Sequence, residues 1–136
     1  DLTRFPRKKL VRLAEVGYFK YKYGRYDEAL KIFESLTAVD HVNPYYHAAL
    51  AGIYQKTGKY VDAVVEYTRA NRLNPKDICP YVNRGEIFLR HKNFRKAAED
   101  FRNAILLDPE GKNLWANRAR SLVIALKRNL ELRKKR

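Results

Sequence analysis

Residues 24–33, GRYDEALKIF, return in altered form as GKYVDAVVEY at residues 58–67 and as KNFRKAAEDF at residues 92–101. Successive copies are 34 residues apart. Three positions keep their residue type in every copy. The first is aromatic (Tyr26, Tyr60 and Phe94), the second is alanine (Ala29, Ala63 and Ala97) and the third is aromatic again (Phe33, Tyr67 and Phe101). The alanine and the second aromatic residue are four positions apart and so share one face of an α-helix. The period predicts a stack of similar helical units that bury this face.

The period and these positions are similar to the tetratricopeptide repeat (TPR), in which each repeat is a helix A, a tight turn and a helix B. The resemblance implies an all-α fold, a right-handed solenoid of three helix-turn-helix repeats at about residues 10–43, 44–77 and 78–111. A capping helix with a basic end is expected over about residues 112–136, within a single domain. Such arrays bind other proteins, and we expect no enzymatic activity.

The expected turns contain Gly24 and Gly58, because glycine adopts the left-handed conformation at the end of a helix without a steric penalty. The third turn has Lys92 instead, so we expect it to be strained or differently shaped. Asn43 is a predicted N-cap. Proline is tolerated in the first turn of a helix, and we expect helices to begin near Pro44, Pro75, Pro80 and Pro109.

Helix B of each repeat should bury one stripe, namely Ala29, Phe33 and Leu36, then Ala63, Tyr67 and Ala70, then Ala97, Phe101 and Ala104. The capping helix has an apolar stripe of its own, formed by Trp115, Ala119, Leu122, Leu126 and Leu130.

The net charge of +14 lies mainly at the two ends of the chain. Residues 1–12 contain five basic residues and one acidic residue, and residues 118–136 contain eight basic residues and one acidic residue. The repeats themselves are nearly balanced. We favour solubility as the reason for the basic ends over binding of an acidic protein, lipid headgroup or nucleic acid, since no base-reading motif accompanies them.

Catalytic and metal-binding patterns are missing from the sequence. His41, His47 and His91 have no second histidine, cysteine or carboxylate at a metal-ligand spacing. Cys79 precedes Pro80 at a helix start, where a thiol could be mildly activated, although a structural or exposed cysteine is the favoured interpretation. There is no phosphate-binding loop and no nucleophile–base arrangement. We therefore expect no cofactor and no metal, and a lone cysteine with no apolar membrane-spanning run favours a cytoplasmic protein. Because the sequence has no Met, we expect residues upstream of Asp1.

The TPR resemblance also implies a concave groove lined by the A helices. Carried over position by position, the predicted peptide-binding residues are Ala14, Tyr18, Tyr21, Lys22, Tyr45, Ala48, Gly52, Gln55, Val82, Glu86 and Leu89. The small residues among them should leave pockets between the tyrosine rings, which can stack and donate hydrogen bonds. This surface suits an extended segment with apolar anchors. In the alternative interpretation, some of these tyrosines pack between neighbouring helices.

TPR co-chaperones that hold the acidic C-terminus of heat-shock chaperones use a carboxylate clamp of lysine and asparagine side chains. At the corresponding positions this chain has Ala14, Tyr18 and Gly52. The clamp is therefore absent, and we expect a different ligand.

Residues 24–36, followed by Val39, Asp40 and His41, resemble the first repeat of the class II chaperones of type III secretion (the SycD/LcrH-like family), and residues 50–60 resemble its second repeat. The resemblance implies a cytoplasmic bacterial chaperone that holds an extended segment of a secreted, translocator-like client without ATP, and it implies a homodimer as an option. This chain differs from the family in its basic charge and in Lys92.

The sequence leaves two other functions open. One is a TPR scaffold or adaptor in a multiprotein complex, whose basic termini contact an acidic partner. The other is association with nucleic acid or a membrane surface through the same termini; it ranks last because aromatic residues are not interleaved with the basic runs.

Overall fold

The computed structural model describes residues 6–135, which form seven α-helices and no strand. The helices are α1 (Arg7–Lys22), α2 (Tyr26–Val39), α3 (Pro44–Lys56), α4 (Tyr60–Leu73), α5 (Ile78–Arg90), α6 (Phe94–Leu106) and α7 (Leu114–Lys134). Short turns join α1 to α2, α3 to α4 and α5 to α6, and each of these pairs packs together. The chain is all-α, as the repeat predicted.

The helices pack as two compact units, one ending at Pro75 and the other beginning at Lys76. The first contains α1 to α4, with α3 packed on both α2 and α4. The second contains α5 to α7, with α7 packed on both α6 and α5.

The first unit has a core built from the predicted helix B stripe. Ala29, Phe33 and Leu36 of α2 are buried, and they pack with residues of α1 and α3. In α4 the corresponding Ala63, Tyr67 and Ala70 are buried as well. The predicted stripes of the first two repeats are therefore confirmed.

The second unit buries Ala97, Phe101 and Ala104 of α6 against Val82 of α5 and Ala119 of α7, which confirms the third stripe. The stripe predicted for α7 is only partly correct. Ala119 is buried and Leu122 packs on the core, whereas Trp115 and Leu130 are exposed. The last two turns of α7 extend past the helices that cover its beginning, so the apolar residues there have no helix beside them in this unit.

The three turns between paired helices share one geometry. Gly24 and Gly58 have φ of 76° and 78°, and Lys92 has φ of 62°. In each turn the N–H of this residue donates to the carbonyl three positions back, and the next N–H donates to the carbonyl five positions back. The third turn was expected to be strained or differently shaped, and the first alternative is correct: its shape is the same, but Lys92 adopts the left-handed conformation that costs a residue with a Cβ about 1–2 kcal/mol.

The helices begin directly after their capping residues, and not always at the prolines. The Asn43 side chain accepts from the N–H of Tyr45 at 2.9 Å, which confirms it as an N-cap, and Pro44 is the first residue of α3. Pro75 and Pro109 lie in turns before α5 and α7, so the expectation that they begin helices was wrong. The α7 helix begins at Leu114, where Asn113 accepts from two backbone N–H groups.

Asp108 organises the loop before α7. Its carboxylate accepts from the backbone N–H groups of Asn113, at 2.9 Å, and Lys112, at 3.1 Å, and it pairs with Arg120. The N–H of Asn113 is the largest of the influences that lower the pKa of Asp108. These contacts hold α7 against the end of α6.

Candidate functional site

Two tyrosines predicted to line the groove form an aromatic contact between α1 and α3. The ring centroids of Tyr18 and Tyr45 lie 5.1 Å apart, and those of Tyr18 and Phe33 lie 5.5 Å apart in a T-shaped contact. Tyr45 is 50% exposed and Tyr18 37% exposed. Tyr18 therefore leaves about a third of its surface open and Tyr45 about half, as an apolar anchor site requires.

Beside this contact, Gly52 forms the floor of a small cradle. A Cβ on Gly52 would lie 3.7 Å from the hydroxyl oxygen of Tyr21 and 4.0 Å from that of Tyr67. The Tyr67 hydroxyl donates to Oε1 of Gln55 at 2.6 Å. Tyr67 is 2% exposed, so its hydroxyl forms the buried side of the cradle, while the helix backbone at Gly52 has no side chain that would obstruct a bound segment.

The remaining predicted residues of α1 and α3 fall into two groups. Lys22 is exposed and Ala48 is half-buried, so both contribute surface. Ala14 is only 7% exposed and belongs to the core with Phe33 and Leu36. The assignment of Ala14 to the groove needs correction, because a side chain covered by α2 offers no surface to a ligand.

In the second unit the predicted residues are more enclosed. Val82 is fully buried against Ala97 and Phe101, so its assignment to the groove was wrong for the same reason. Leu89 is half-buried and packs on this core. Glu86 forms an ion pair with Arg118 of α7. A ligand that uses Glu86 would have to compete with this guanidinium.

A second ion pair in this unit ties α5 to α6. The Arg84 guanidinium makes two contacts with the Asp100 carboxylate, at 2.5 and 2.9 Å. Burial raises the pKa of Asp100, and the hydrogen bonds from Arg84 counteract part of that rise. Arg84 also lies 6.0 Å from the ring centroids of Tyr81 and Phe88. The pair is a structural feature of the helix contact.

The residues suspected of chemistry have structural partners. His47 is buried between Glu66 and the backbone carbonyl of His41. Burial raises the pKa of Cys79 to about 11, the opposite of the lowered pKa that an activated thiol has. Within residues 6–135, no three His, Cys, Asp or Glu side chains are grouped as metal ligands. None of the helices in that range is both long and apolar enough to cross a membrane.

Sequence reasoning missed two contributors to these surfaces. Tyr67 was treated only as the aromatic of a buried stripe, yet its hydroxyl reaches the cradle at Gly52. The sequence does indicate a special role for Tyr67, because the equivalent residues of the other two repeats are Phe33 and Phe101, which lack a hydroxyl. Arg118 carried no such signal, since only the packing of α7 on α5 brings it to Glu86.

The fold agrees with what comparisons with known proteins find. Two family models described as tetratricopeptide repeat match residues 20–78 and 80–110. The chain therefore belongs to the tetratricopeptide repeat family. It is also 36% identical over 67 residues to human tetratricopeptide repeat protein 6, an alignment that covers 49% of this chain and 13% of that protein. The chain thus spans a small part of that relative's length.

Solved structures with the same fold include secretion chaperones. SycD, the type III secretion translocator chaperone of Yersinia enterocolitica, is 25% identical, with a TM-score of 0.86 over 96% of this chain and 91% of SycD. PcrH, solved in complex with the chaperone binding region of PopB, is 24% identical, with a TM-score of 0.81 over 87% of this chain and 97% of PcrH. At these identities the similarity establishes a shared fold.

Proposed function

We propose that this protein is a binding module that holds an extended, apolar segment of a client protein on the exposed face of α1 and α3. The observation that carries the proposal is the cradle at Gly52, where polar groups surround bare helix backbone next to two half-exposed tyrosine rings. Apolar side chains of the client would pack on Tyr18 and Tyr45, and its backbone would pass over Gly52 beside the side chain of Tyr21. Catalysis has no place in this proposal.

The finer proposal is that the protein is a cytoplasmic chaperone of a bacterial type III secretion system whose client resembles a translocator. Its support is the shared fold with SycD and PcrH, the latter solved with a segment of PopB. A client with exposed apolar segments tends to aggregate, and covering those segments until export would prevent this.

Binding of a peptide with the sequence of the PopB chaperone binding region tests this function. Isothermal titration with the full chain should give measurable affinity, and the double variant Tyr18→Ala and Tyr45→Ala should weaken it at least about tenfold, as expected for two aromatic anchors. Gly52→Leu should also weaken binding, because its side chain fills the cradle. Circular dichroism of each variant shows whether the helices persist.

The matched control is Val61→Ala with Leu73→Ala, two exposed apolar residues of α4 outside the cradle. It should bind as tightly as the wild type. Unchanged affinity in the folded tyrosine double variant would contradict the proposal that the client binds in the groove. If the PopB peptide does not bind but unrelated apolar peptides do, only the proposal of a secretion client is contradicted.

A second candidate function is an adaptor that contacts an acidic partner through its basic end. The observation in its favour is that residues 127–135, at and just beyond the end of α7, are all exposed and include Arg128, Arg133, Lys134 and Lys135. Deletion of residues 128–136 should then abolish partner binding, and raised salt should weaken it steeply. The groove proposal expects neither effect. Self-association into a homodimer is a further option, which sedimentation velocity would test.

A further inference from the structure

The two kinds of helix in the first unit differ in charge. The A helices α1 and α3, which carry the proposed groove, contain seven basic residues and one acidic residue. The B helices α2 and α4 contain three basic residues and five acidic residues. The charges of the two sets partly cancel, which is why the repeats as a whole are nearly balanced. The helices that line the groove are therefore positive, and a positive surface favours acidic ligands.

Lys22 and Lys56 bring part of this charge to the groove itself. Lys22 is one helical turn after Tyr18, and Lys56 is one turn after Gly52, so each lysine shares a helix face with a groove residue. Both lysines are exposed. They occupy equivalent positions in successive repeats, 34 residues apart. Because α1 and α3 both run antiparallel to α2, the two lysines lie at the same end of the groove.

The acidic residues nearest to these lysines in the sequence do not neutralise them. Glu28 pairs with Lys20 and Arg25. Glu15 is the only acidic residue of α1 and α3, and it precedes Lys22 by about 10 Å along the helix axis. Within residues 6–135, neither of the two lysines forms an ion pair. Their ammonium groups are therefore available to a ligand.

We propose that the client segment carries an acidic side chain close to its apolar anchors, and that Lys22 and Lys56 bind this carboxylate. The inference rests on the proposed function, because it places the acid on the segment that Tyr18 and Tyr45 hold. Tyr18 and Lys22 are about 6 Å apart along the helix axis, a distance that an extended segment spans in about two residues. The acidic residue therefore lies within about three residues of the anchor at Tyr18. A side chain is favoured over a C-terminal carboxylate because the lysine and asparagine of the carboxylate clamp are absent.

Selection from a random peptide library displayed on phage, with the full chain immobilised, tests this inference. Peptides selected by the wild type should have Asp or Glu within about three positions of an apolar residue, at least about threefold more often than the unselected library. The variant Lys22→Glu with Lys56→Glu should select Lys or Arg there instead. The matched control is Lys31→Glu with Arg72→Glu, which changes the net charge equally at exposed positions of α2 and α4. It should select the same peptides as the wild type.

A selected acidic peptide with an amidated C-terminus is then titrated by calorimetry. The variant Lys22→Gln with Lys56→Gln removes the two charges without reversing them, and it should weaken binding about fivefold, as expected for two exposed ion pairs. Replacement of the acidic residue of the peptide by its amide should have the same effect. Raising the salt concentration to about 1 M should also weaken binding, since the screening length falls to about 3 Å. Circular dichroism shows whether each variant remains helical.

The outcomes separate this inference from the groove proposal. Selection of apolar peptides without acidic residues would overturn the inference and leave the groove in place. If the wild type selects no peptide, the groove proposal fails and the inference fails with it. Peptides that bind only with a free C-terminal carboxylate would assign the lysines to a chain end instead. Binding of single-stranded RNA or of phosphatidylserine vesicles that is lost in the Lys22→Glu, Lys56→Glu variant, without enrichment of acidic peptides, would overturn the inference in favour of that ligand.

Discussion

Nδ1 of His47 lies 2.6 Å from Oε2 of Glu66, with both side chains buried between α3 and α4. Nε2 of His47 lies 2.7 Å from the carbonyl oxygen of His41 in the preceding loop. A carbonyl oxygen only accepts, so Nε2 carries a proton and donates it. The other oxygen of Glu66 contacts Arg69 at 2.6 Å. This chain of contacts ties the α2–α3 loop, α3 and α4 together.

Replacement of His47 by Ala should lower the free energy of unfolding by about 3 kcal/mol, because it leaves the buried Glu66 carboxylate without one of its two partners. Urea denaturation measures the change. His41→Ala is the control, since His41 contributes only its backbone carbonyl to the contact, and it should be close to neutral. Equal stability of His47→Ala and wild type would show that the contact is not stabilising.

Replacement of Lys92 by Gly should raise the free energy of unfolding by about 0.5–1 kcal/mol. Glycine relieves the left-handed strain at φ of 62°, although its greater freedom in the unfolded chain offsets part of the gain. Lys92→Ala retains the strain and should have little effect. Thermal or urea unfolding of the two variants separates the backbone effect from loss of the lysine side chain. If Lys92→Gly and Lys92→Ala raise the free energy of unfolding equally, the explanation by backbone strain is wrong.

Substitution of alanine for two of the glycines, Gly85 and Gly52, should change the stability of the protein in opposite directions. A Cβ at Gly85 would lie 2.6 Å from Cε1 of Phe101, whereas a Cβ at Gly52 would meet no side-chain atom closer than 3.7 Å. Gly85→Ala should therefore destabilise the protein by about 1–3 kcal/mol through overpacking. Gly52→Ala should be neutral or stabilise it by up to about 1 kcal/mol through helix propensity. A loss of stability in Gly52→Ala similar to that in Gly85→Ala would contradict the open cradle.

The Cys79 thiol should react slowly with iodoacetamide near neutral pH. Its pKa is raised to about 11 from 9.0, mainly by burial, so the reactive thiolate is about 100-fold scarcer than at an unperturbed cysteine. The alkylation rate of the folded protein should keep rising with pH towards 11, as long as the protein remains folded. The same chain in urea is the control and should level off about two pH units lower. A fast reaction of the folded protein at pH 7 would contradict this prediction.

The buried helix B stripes could be predicted because they depend on local periodicity. Ala29 and Phe33 recur at each step of the repeat, and a helix with small and aromatic residues on one face must bury that face. A second position for a small residue was not predicted. Gly17 and Gly85 occupy equivalent places on helix A, and each lies directly under the phenylalanine of its own helix B. The need for glycine there depends on how closely helix A and helix B approach, and a single sequence does not show that distance.

The exposure expected of the groove residues agrees with the structure only in part. Tyr18 and Tyr45 are exposed and Gly52 is half-buried, whereas Ala14 and Val82 are buried. A position in a repeat specifies a direction around the helix but not how far a neighbouring helix covers it. Small side chains are the most easily covered, and both errors concern small or medium apolar residues.

The sequence by itself determined the helical repeat, the turns and the buried stripes, since each follows from spacing along one chain and from the need to bury apolar surface. It also located the excess positive charge at the ends. Only the tertiary structure decided which residues meet across helices: His47 with Glu66, Glu86 with Arg118, and the hydroxyls of Tyr21 and Tyr67 over Gly52. These contacts join residues far apart in sequence, and they depend on how closely two helices approach and at what rotation. The same reason leaves Phe19 exposed and Ile53 buried at equivalent positions, because among the described helices one packs against that face of α3 and none against that face of α1.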